Sequence, residues 1–256
     1  MIRIGPSGLG PVKDAIVNLE EYSRLGITSC EIAFTYGVYI KNEEEAISIG
    51  KKAKELGIKL SIHAPYWINL NSAEEIKIVK SKNYLLDCLM VGTLLGVTNV
   101  VFHAGFYGKD SKEKTYNSIR DNLIDILKEA KKRGYSSKLA PETMGKVNVF
   151  GSVEEISNLV RDTGCSFCID FAHILAREKD YCFEKVKSLF PENSWHVHFS
   201  GIEYGEKGEK RHLKMKESDW KELFSNVPKE KEITIICESP DQVNDAVLGI
   251  NYLKRN

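Results

Sequence analysis

The chain has 256 residues, in which 36 Lys plus Arg are offset by 36 Asp plus Glu, and 42% of the residues are hydrophobic. Formal neutrality excludes a strongly basic nucleic-acid binder in the totals, while leaving room for a local positive lining around one cleft. The apolar share is enough for one large core and excludes disorder as the main state.

The start MIRIG lacks the apolar segment of a secretory signal. The six cysteines are therefore expected as free thiols in a reducing, cytoplasmic compartment, with no disulfide framework. The stretch from Cys88 to Gly108 carries no Asp, Glu, Lys or Arg and approaches the roughly 20 residues of a membrane span. Gly92, Gly96, Thr98, Asn99, His103 and Gly105 interrupt it, so it reads as the end of a buried helix, a turn and a buried strand, and no membrane is expected.

In chain order, short β-rich runs recur: IRIG from Ile2, SCEIAF from Ser29, KLSIH from Lys59, NVVFH from Asn99, KLAPE from Lys138, SFCID from Ser166, WHVHF from Trp195 and ITIICE up to Glu238. Helical periodicity fills Val12 to Leu25, Asn42 to Leu56, Ala73 to Leu95, Ser111 to Arg133 and Ser152 to Arg161. Gly26 and Gly57 are placed as helix C-terminal caps, and Asn42 or Glu43 starts the second helix with acidic Glu43 to Glu45 at its positive end. Eight units in this length give roughly 32 residues each, the size of a βα repeat. With no linker in the series, residues 1–256 are expected to form a single domain, a closed (β/α)8 TIM barrel. An open doubly wound sheet is the alternative, but GPSGLG at Gly5 to Gly10 lacks phosphate-loop spacing and reads as a turn.

Barrels of this kind carry their sites at the C-terminal ends of the strands. Six consecutive runs end in or beside a metal-competent side chain: His63, His103, Glu142, Asp170, His198 and Glu238. Strand alternation puts Ser61, Val101, Ala140, Cys168, His196 and Ile236 one layer beneath them. A lone histidine or glutamate at a strand end is usually just a hydrogen-bonded group. Six in succession are different, because three carboxylates buried together cost several kcal/mol each unless cations neutralise them. Mixed imidazole and carboxylate ligands suit zinc first, with manganese, iron or cobalt possible. Three of each exceed one tetrahedral ion, so at least two metals are expected, with one carboxylate bridging. His173 and His212, in the following loops, are placed to extend the cluster, and His196 is assigned to the interior below His198. Cys165 and Cys168 form a C-x-x-C pair without a partner pair of zinc-ribbon spacing, and a metal or redox role is not expected for them.

The segments His63-Ala-Pro-Tyr66-Trp67, Phe102-His103-Ala-Gly105, Pro141-Glu142-Thr143, Asp170-Phe-Ala-His173, Val197-His198-Phe-Ser-Gly201 and Cys237-Glu238-Ser-Pro240 together resemble the endonuclease IV family of apurinic/apyrimidinic endonucleases, within the xylose-isomerase-like barrels. The likeness spans the third to eighth strands. It implies three zinc ions: one on His63, His103 and Glu142, a second on Glu142, Asp170, His198 and Glu238, and a third involving His173 and His212. It also implies Glu142 as the bridging catalytic carboxylate, and hydrolysis of the phosphodiester 5′ to an abasic site in duplex DNA, with Tyr66 and Trp67 as a wedge against the bases.

Two departures from the family pattern stand out. Lys210 occupies the position of an expected aspartate two residues before His212. Either Glu209 substitutes from a shifted loop, or two ions are bound and the Lys210 ammonium takes a phosphate-binding role. The segment Thr35 to Tyr39 lacks the family's arginine, and loop packing competes with base stacking for Tyr36, Tyr39, Tyr66 and Trp67 alike. Phosphate contacts are expected from Lys210 and Arg211, with Lys109, Lys112 and Lys207 scattered on the same rim. Two other classes compete: a sugar isomerase or epimerase with one metal on Glu142, Asp170, His198 and Glu238, and a non-catalytic metal- or DNA-binding barrel. A monomer is the expected state.

Overall fold

A computed structural model describes residues 1–255. Eight parallel strands alternate with helices: β1 (Ile2–Pro6), β2 (Ser29–Ala33), β3 (Lys59–His63), β4 (Asn99–Phe102), β5 (Lys138–Pro141), β6 (Ile169–Asp170), β7 (Ser194–Phe199) and β10 (Glu232–Cys237). They form two four-stranded arcs, β1-β10-β7-β6 and β2-β3-β4-β5. Single parallel bridges, Ser7 to Glu31 and Glu142 to Cys168, join the arcs on both sides and close the ring. The fold is the expected (β/α)8 barrel, with one addition: an antiparallel hairpin, β8 (Gly201–Gly205) and β9 (Gly208–Leu213), rises from the end of β7. Its polar, partly exposed sequence has no apolar alternation, which is why the strand pattern did not reveal it.

The helices follow their caps. Asn42 accepts from the Glu44 and Glu45 amides at 2.8 and 3.1 Å and opens α2 (Glu43–Glu55). Ser152 and Glu155 form a capping box at the start of α5 (Val153–Thr163). Gly26 and Gly57 stand past the ends of α1 (Ala15–Arg24) and α2 with φ of +80° and +71°, as expected of C-terminal caps. Several boundaries differ: Val12–Asp14 is a separate 3-10 turn before α1, α3 (Glu75–Leu95) begins two residues after Ala73, α5 runs two residues past Arg161, and β6 keeps only the last two residues of the run from Ser166. The uncharged stretch that mimics a membrane span resolves into the end of α3, a turn and β4, and among the described residues no helix is long and apolar enough to cross a membrane. All six cysteines are free thiols.

Two layers of side chains fill the molecule. The main core lies between the strands and the surrounding helices: α1, α2, α3, α4 (Lys112–Lys132), α5, α6 (Phe171–Glu178), α7 (Phe183–Leu189), α8 (Glu217–Asn226) and α9 (Gln242–Arg255). Val101, Ala140 and Cys168 form a small separate cluster inside the barrel, beneath the residues that end β4, β5 and β6. Alternation along the strands thus leaves the C-terminal rim free for polar groups.

Ring closure between β1 and β2 is tight. A Cβ built on Gly5 would stand 1.6 Å from the Ser29 carbonyl oxygen, so any side chain there must push the two strands apart. Gly5→Ala is expected to destabilise by about 3 kcal/mol or more. In a chain of this size that lowers the melting temperature by roughly 6 to 12 °C, readable by calorimetry.

Candidate metal centre

The strand ends deliver their polar side chains to one place. His63 closes β3; His103, Glu142 and Glu238 follow β4, β5 and β10; Asp170 closes β6; and His198 lies in β7. Asp170 also caps α6, its Oδ1 accepting from the His173 amide at 2.7 Å, which fixes His173 one turn further on. Ligand atoms within 4.8 Å of one another form the sets His63, His103 and Glu142; Glu142, Asp170, His198 and Glu238; and Asp170, His173 and His212. These groups could hold metal ions.

Glu142 divides its two oxygens between two of these sets. Its Oε2 lies 3.2 Å from His63 Nε2 and 3.1 Å from His103 Nε2, while its Oε1 lies 3.3 Å from His198 Nδ1; the Nδ1 of His173, which belongs to the third set, also stands 3.2 Å from Oε1. A carboxylate so shared has bridging geometry. Asp170 Oδ2 is buried without a hydrogen-bond partner among the described residues, an orphaned acceptor inside the cluster that a cation would satisfy.

Backbone carbonyls set the presentation of three imidazoles. Nδ1 of His63 donates to Ala64 O at 2.8 Å, that of His173 to Thr143 O at 3.0 Å, and that of His212 to Glu238 O at 2.9 Å. A carbonyl can only accept, so the proton sits on Nδ1 and the Nε2 lone pair is left facing the cluster. The donor set therefore fits divalent ions by its chemistry as well as its spacing.

The hairpin sets which of Glu209 and Lys210 faces the third set. β8 and β9 pair with Glu203 opposite Arg211 but Tyr204 opposite Glu209, so Lys210 is the extra residue of a β-bulge. With that insertion, Glu209 and His212 face the same way although they are three apart, and Lys210 and Arg211 both face outward. Glu209 Oε2 stands 3.4 Å from His173 Nε2, and the two Nε2 atoms of His173 and His212 are 3.4 Å apart. Ligands bonded at about 2.0–2.1 Å in a tetrahedron stand about 3.3–3.4 Å from each other. Lys210 and Arg211 instead pair with Glu203 at 3.4 and 2.8 Å on the exposed face. The Lys210 ammonium is thus turned away from the cluster, toward Glu203, and Glu209 stands beside His173.

Above the cluster lies a cavity of about 430 Å3, whose wall includes Thr35, Tyr66, Phe106, Met144 and Lys146. Tyr66 is 57% exposed and its ring lies 6.1 Å from that of His103; Trp67, 46% exposed, stands 5.9 Å from Tyr36. The Arg177 guanidinium donates to the Lys146 and Val149 carbonyls, both at 2.9 Å, and so fixes the loop that carries Lys146. Sequence reasoning passed over Lys146 and Arg177. It also missed Glu31, wholly buried on β2 beneath His198, because a single glutamate inside an apolar run carried no strand-end signal.

Charge in the cluster is balanced by imidazolium when no ion is bound. Burial works against ionised Glu142, yet the His198 charge and hydrogen bonds from His103, His173 and His198 hold its carboxyl well below the usual range. Burial likewise opposes ionised Glu238, but His198 brings it down to about 2. His63 is pushed up to about 9, against burial, by the hydrogen bond and charge of Glu142. His173 is held well above its ordinary value, again against burial, by Asp170 and Glu142. Burial raises Asp170 in spite of His173.

An eight-stranded barrel with imidazoles and carboxylates that could hold metal ions gathered at its C-terminal rim defines the class of protein. The chain belongs to the xylose isomerase-like TIM barrel family, whose model matches residues 19–256. It is 37% identical over 269 residues to the uncharacterized protein MJ0133 of Methanocaldococcus jannaschii, covering 97% of this chain and 95% of that one. It is 25% identical over 194 residues to a "Probable endonuclease 4" of Mycobacterium tuberculosis, covering 74% of this chain and 76% of the relative. Among solved structures, SacUVDE superposes with a TM-score of 0.75 at 21% identity, over 95% of this chain and 87% of that one. Endonuclease IV from Thermus thermophilus gives 0.72 at 22%, over 100% and 99%. A D-psicose 3-epimerase gives 0.66 at 16%, over 94% and 91%. At these identities the structural likenesses speak for the fold alone.

The titration has a checkable sign. The folded-state value of His63 lies above the roughly 6.5 of an unfolded histidine, so its contribution is complete below about 6.5 and is lost as pH rises through about 9. Bound ions must expel those protons and are favoured over the same interval. The metal-free melting temperature is expected to fall from pH 6.5 to 9 while the increment on adding zinc grows. Parallel melts with chelator and with zinc measure both; an increment that shrinks with pH would contradict the assignment.

Proposed function

We propose that the protein is a cytoplasmic, monomeric, single-domain apurinic/apyrimidinic endonuclease that cleaves the phosphodiester 5′ to an abasic site in duplex DNA, using zinc ions. The observation that carries this reading is the shared Glu142 carboxylate, with one oxygen turned to His63 and His103 and the other to His198. That arrangement suits adjacent ions. The similarity to relatives named endonuclease 4 supports DNA as the substrate.

In this reading one ion takes His63, His103 and Glu142, a second takes Glu142, Asp170, His198 and Glu238, and a third takes His173, His212 and Glu209. Bound there, adjacent divalent ions would make water acidic enough to act as a nucleophile and neutralise charge on the attacking and leaving oxygens of an in-line displacement. The chain's own part is positional. Glu142 orients the nucleophile between the two sides of the cluster. Tyr66 and Trp67 project from the rim as the surface on which exposed bases would stack. Lys146 on the cavity wall, and Lys210 and Arg211 on the outer face of the hairpin, supply positive charge for phosphates.

A single-metal sugar epimerase is the competing reading, favoured by the Glu142, Asp170, His198 and Glu238 set taken alone and by the epimerase fold likeness. It leaves His63, His103, His173, His212 and Glu209 without a shared purpose.

A nicking assay on duplex carrying a synthetic abasic site tests the proposal. Incision on the 5′ side that is abolished by chelator and restored by zinc is expected. Glu142→Gln should reduce it by more than about 100-fold, since even loss of outer-shell partners costs 10–100-fold. Binding without incision would favour the non-catalytic barrel, and neither binding nor incision would favour a sugar substrate. For the third ion, metal analysis should give three zinc equivalents in the parent protein, two in Glu209→Ala and three in Lys210→Ala; an unchanged count in Glu209→Ala would remove Glu209 from the ligand set.

A further inference from the structure

His198 is held differently from the other imidazoles of the cluster. His63, His173 and His212 each anchor Nδ1 on a backbone carbonyl and present Nε2. His198 presents Nδ1, which lies 3.3 Å from both Glu142 Oε1 and Glu238 Oε1, and turns Nε2 down into the barrel. There it meets Glu31 Oε1 at 3.0 Å. Both atoms are fully buried and neither makes a hydrogen bond among the described residues, so the 3.0 Å approach is an ion-pair contact between two otherwise unpartnered atoms. The other Glu31 oxygen is pinned: Ser61 Oγ donates to Oε2 at 2.7 Å, and His196 Nε2 lies 3.1 Å from it.

We infer that Glu31 is a positioning residue for the metal centre, holding the proton of His198 on Nε2 so that its Nδ1 lone pair faces the space shared by Glu142, Asp170 and Glu238. The inference rests on the reading that this cluster holds divalent ions, and is independent of the substrate. The physical reason is tautomer choice. A neutral imidazole has one N–H and one lone pair, and on the cluster side the Glu142 carboxylate, 3.3 Å from His198 Nδ1, draws the N–H to that nitrogen. A buried carboxylate behind the ring reverses that preference by accepting from Nε2, and it strengthens Nδ1 as a donor. This gives β2 a function as well. Its strand supplies no ligand, yet Glu31 sits at the bridge to Ser7 where the barrel closes, a position fixed by the backbones of β1 and β2. His196 and Ser61, one layer below the ligands, complete the support by fixing the carboxylate that fixes His198.

A second arrangement of the same atoms predicts something different. Cys168, His196 and His198 have ligand atoms within 4.8 Å of one another, which would allow an ion beneath the cluster on a thiolate. Glu31 pairing and ion binding at His198 Nε2 are mutually exclusive, so one experiment separates them.

The experiment is cobalt(II) titration of the parent protein and of Glu31→Gln, stripped of metal, followed by visible absorption and by competition with a chelator. The isosteric glutamine keeps the volume and removes the charge. One ion is expected to weaken 10–100-fold in Glu31→Gln while the others hold, with a changed cobalt spectrum for that ion and metal-free melting within a few degrees of the parent. Ser61→Ala, which keeps the carboxylate and loses only its donor, should weaken the same ion less and reports on the same contact if Glu31→Gln does not fold. Equal affinities and spectra in all three proteins would overturn the inference, as would a uniform loss across every ion. A thiolate-to-cobalt charge-transfer band removed by Cys168→Ser would overturn it in favour of the lower ion. A parent protein that binds no cobalt would overturn the metal reading itself, whatever the variants do.

Discussion

The carboxylates of Glu31, Glu142 and Asp170 are almost wholly removed from water in the middle of the barrel, with Glu238 beside them, and no such group can stay ionised there without positive charge in contact. Everything at the C-terminal rim answers that requirement. Imidazoles of His63, His103, His173 and His198 contact Glu142, and the raised protonation of His63, His173 and His198 in the metal-free state is the imidazolium answer to the same demand that divalent cations would meet. Glu142 is the hinge of the arrangement because each of its oxygens serves a different set of histidines.

Orientation is solved by local backbone chemistry. Carbonyls that follow or neighbour the ligands, at Ala64, Thr143 and Glu238, hold three imidazoles through Nδ1. These carbonyls belong to the loops just past the strand ends, so the turn that terminates a strand also aims a ligand. His198 lies within β7, where backbone polar groups are used in pairing with β6 and β10, and a side chain from β2 takes over the task.

Much of this was legible in the residues. Short β-rich runs separated by helical stretches specify a (β/α)8 barrel, and helix caps at Asn42, Gly26 and Gly57 mark its joints. A metal-competent residue at six successive strand ends points to one rim because the fold puts all those ends on one side. The groups His63, His103 and Glu142, and Glu142, Asp170, His198 and Glu238, lie together in the sets that the resemblance to endonuclease IV implies. The hairpin after β7 was not legible, since its polar residues give no face to read, and neither was Glu31, whose neighbours in sequence are ordinary strand apolars.

What the sequence determined by itself is thus the periodicity, the caps and the chemical identity of the residues at each strand end, all properties of a residue and its near neighbours. What only the tertiary structure decided is which groups meet across the ring: the division of Glu142 between two sides, Glu31 under His198, and Glu209 rather than Lys210 beside His173. Each of these depends on register between segments far apart in the chain. The last turns on one inserted residue in a bulge, which reverses the facing of the side chains on either side and leaves no trace in spacing alone.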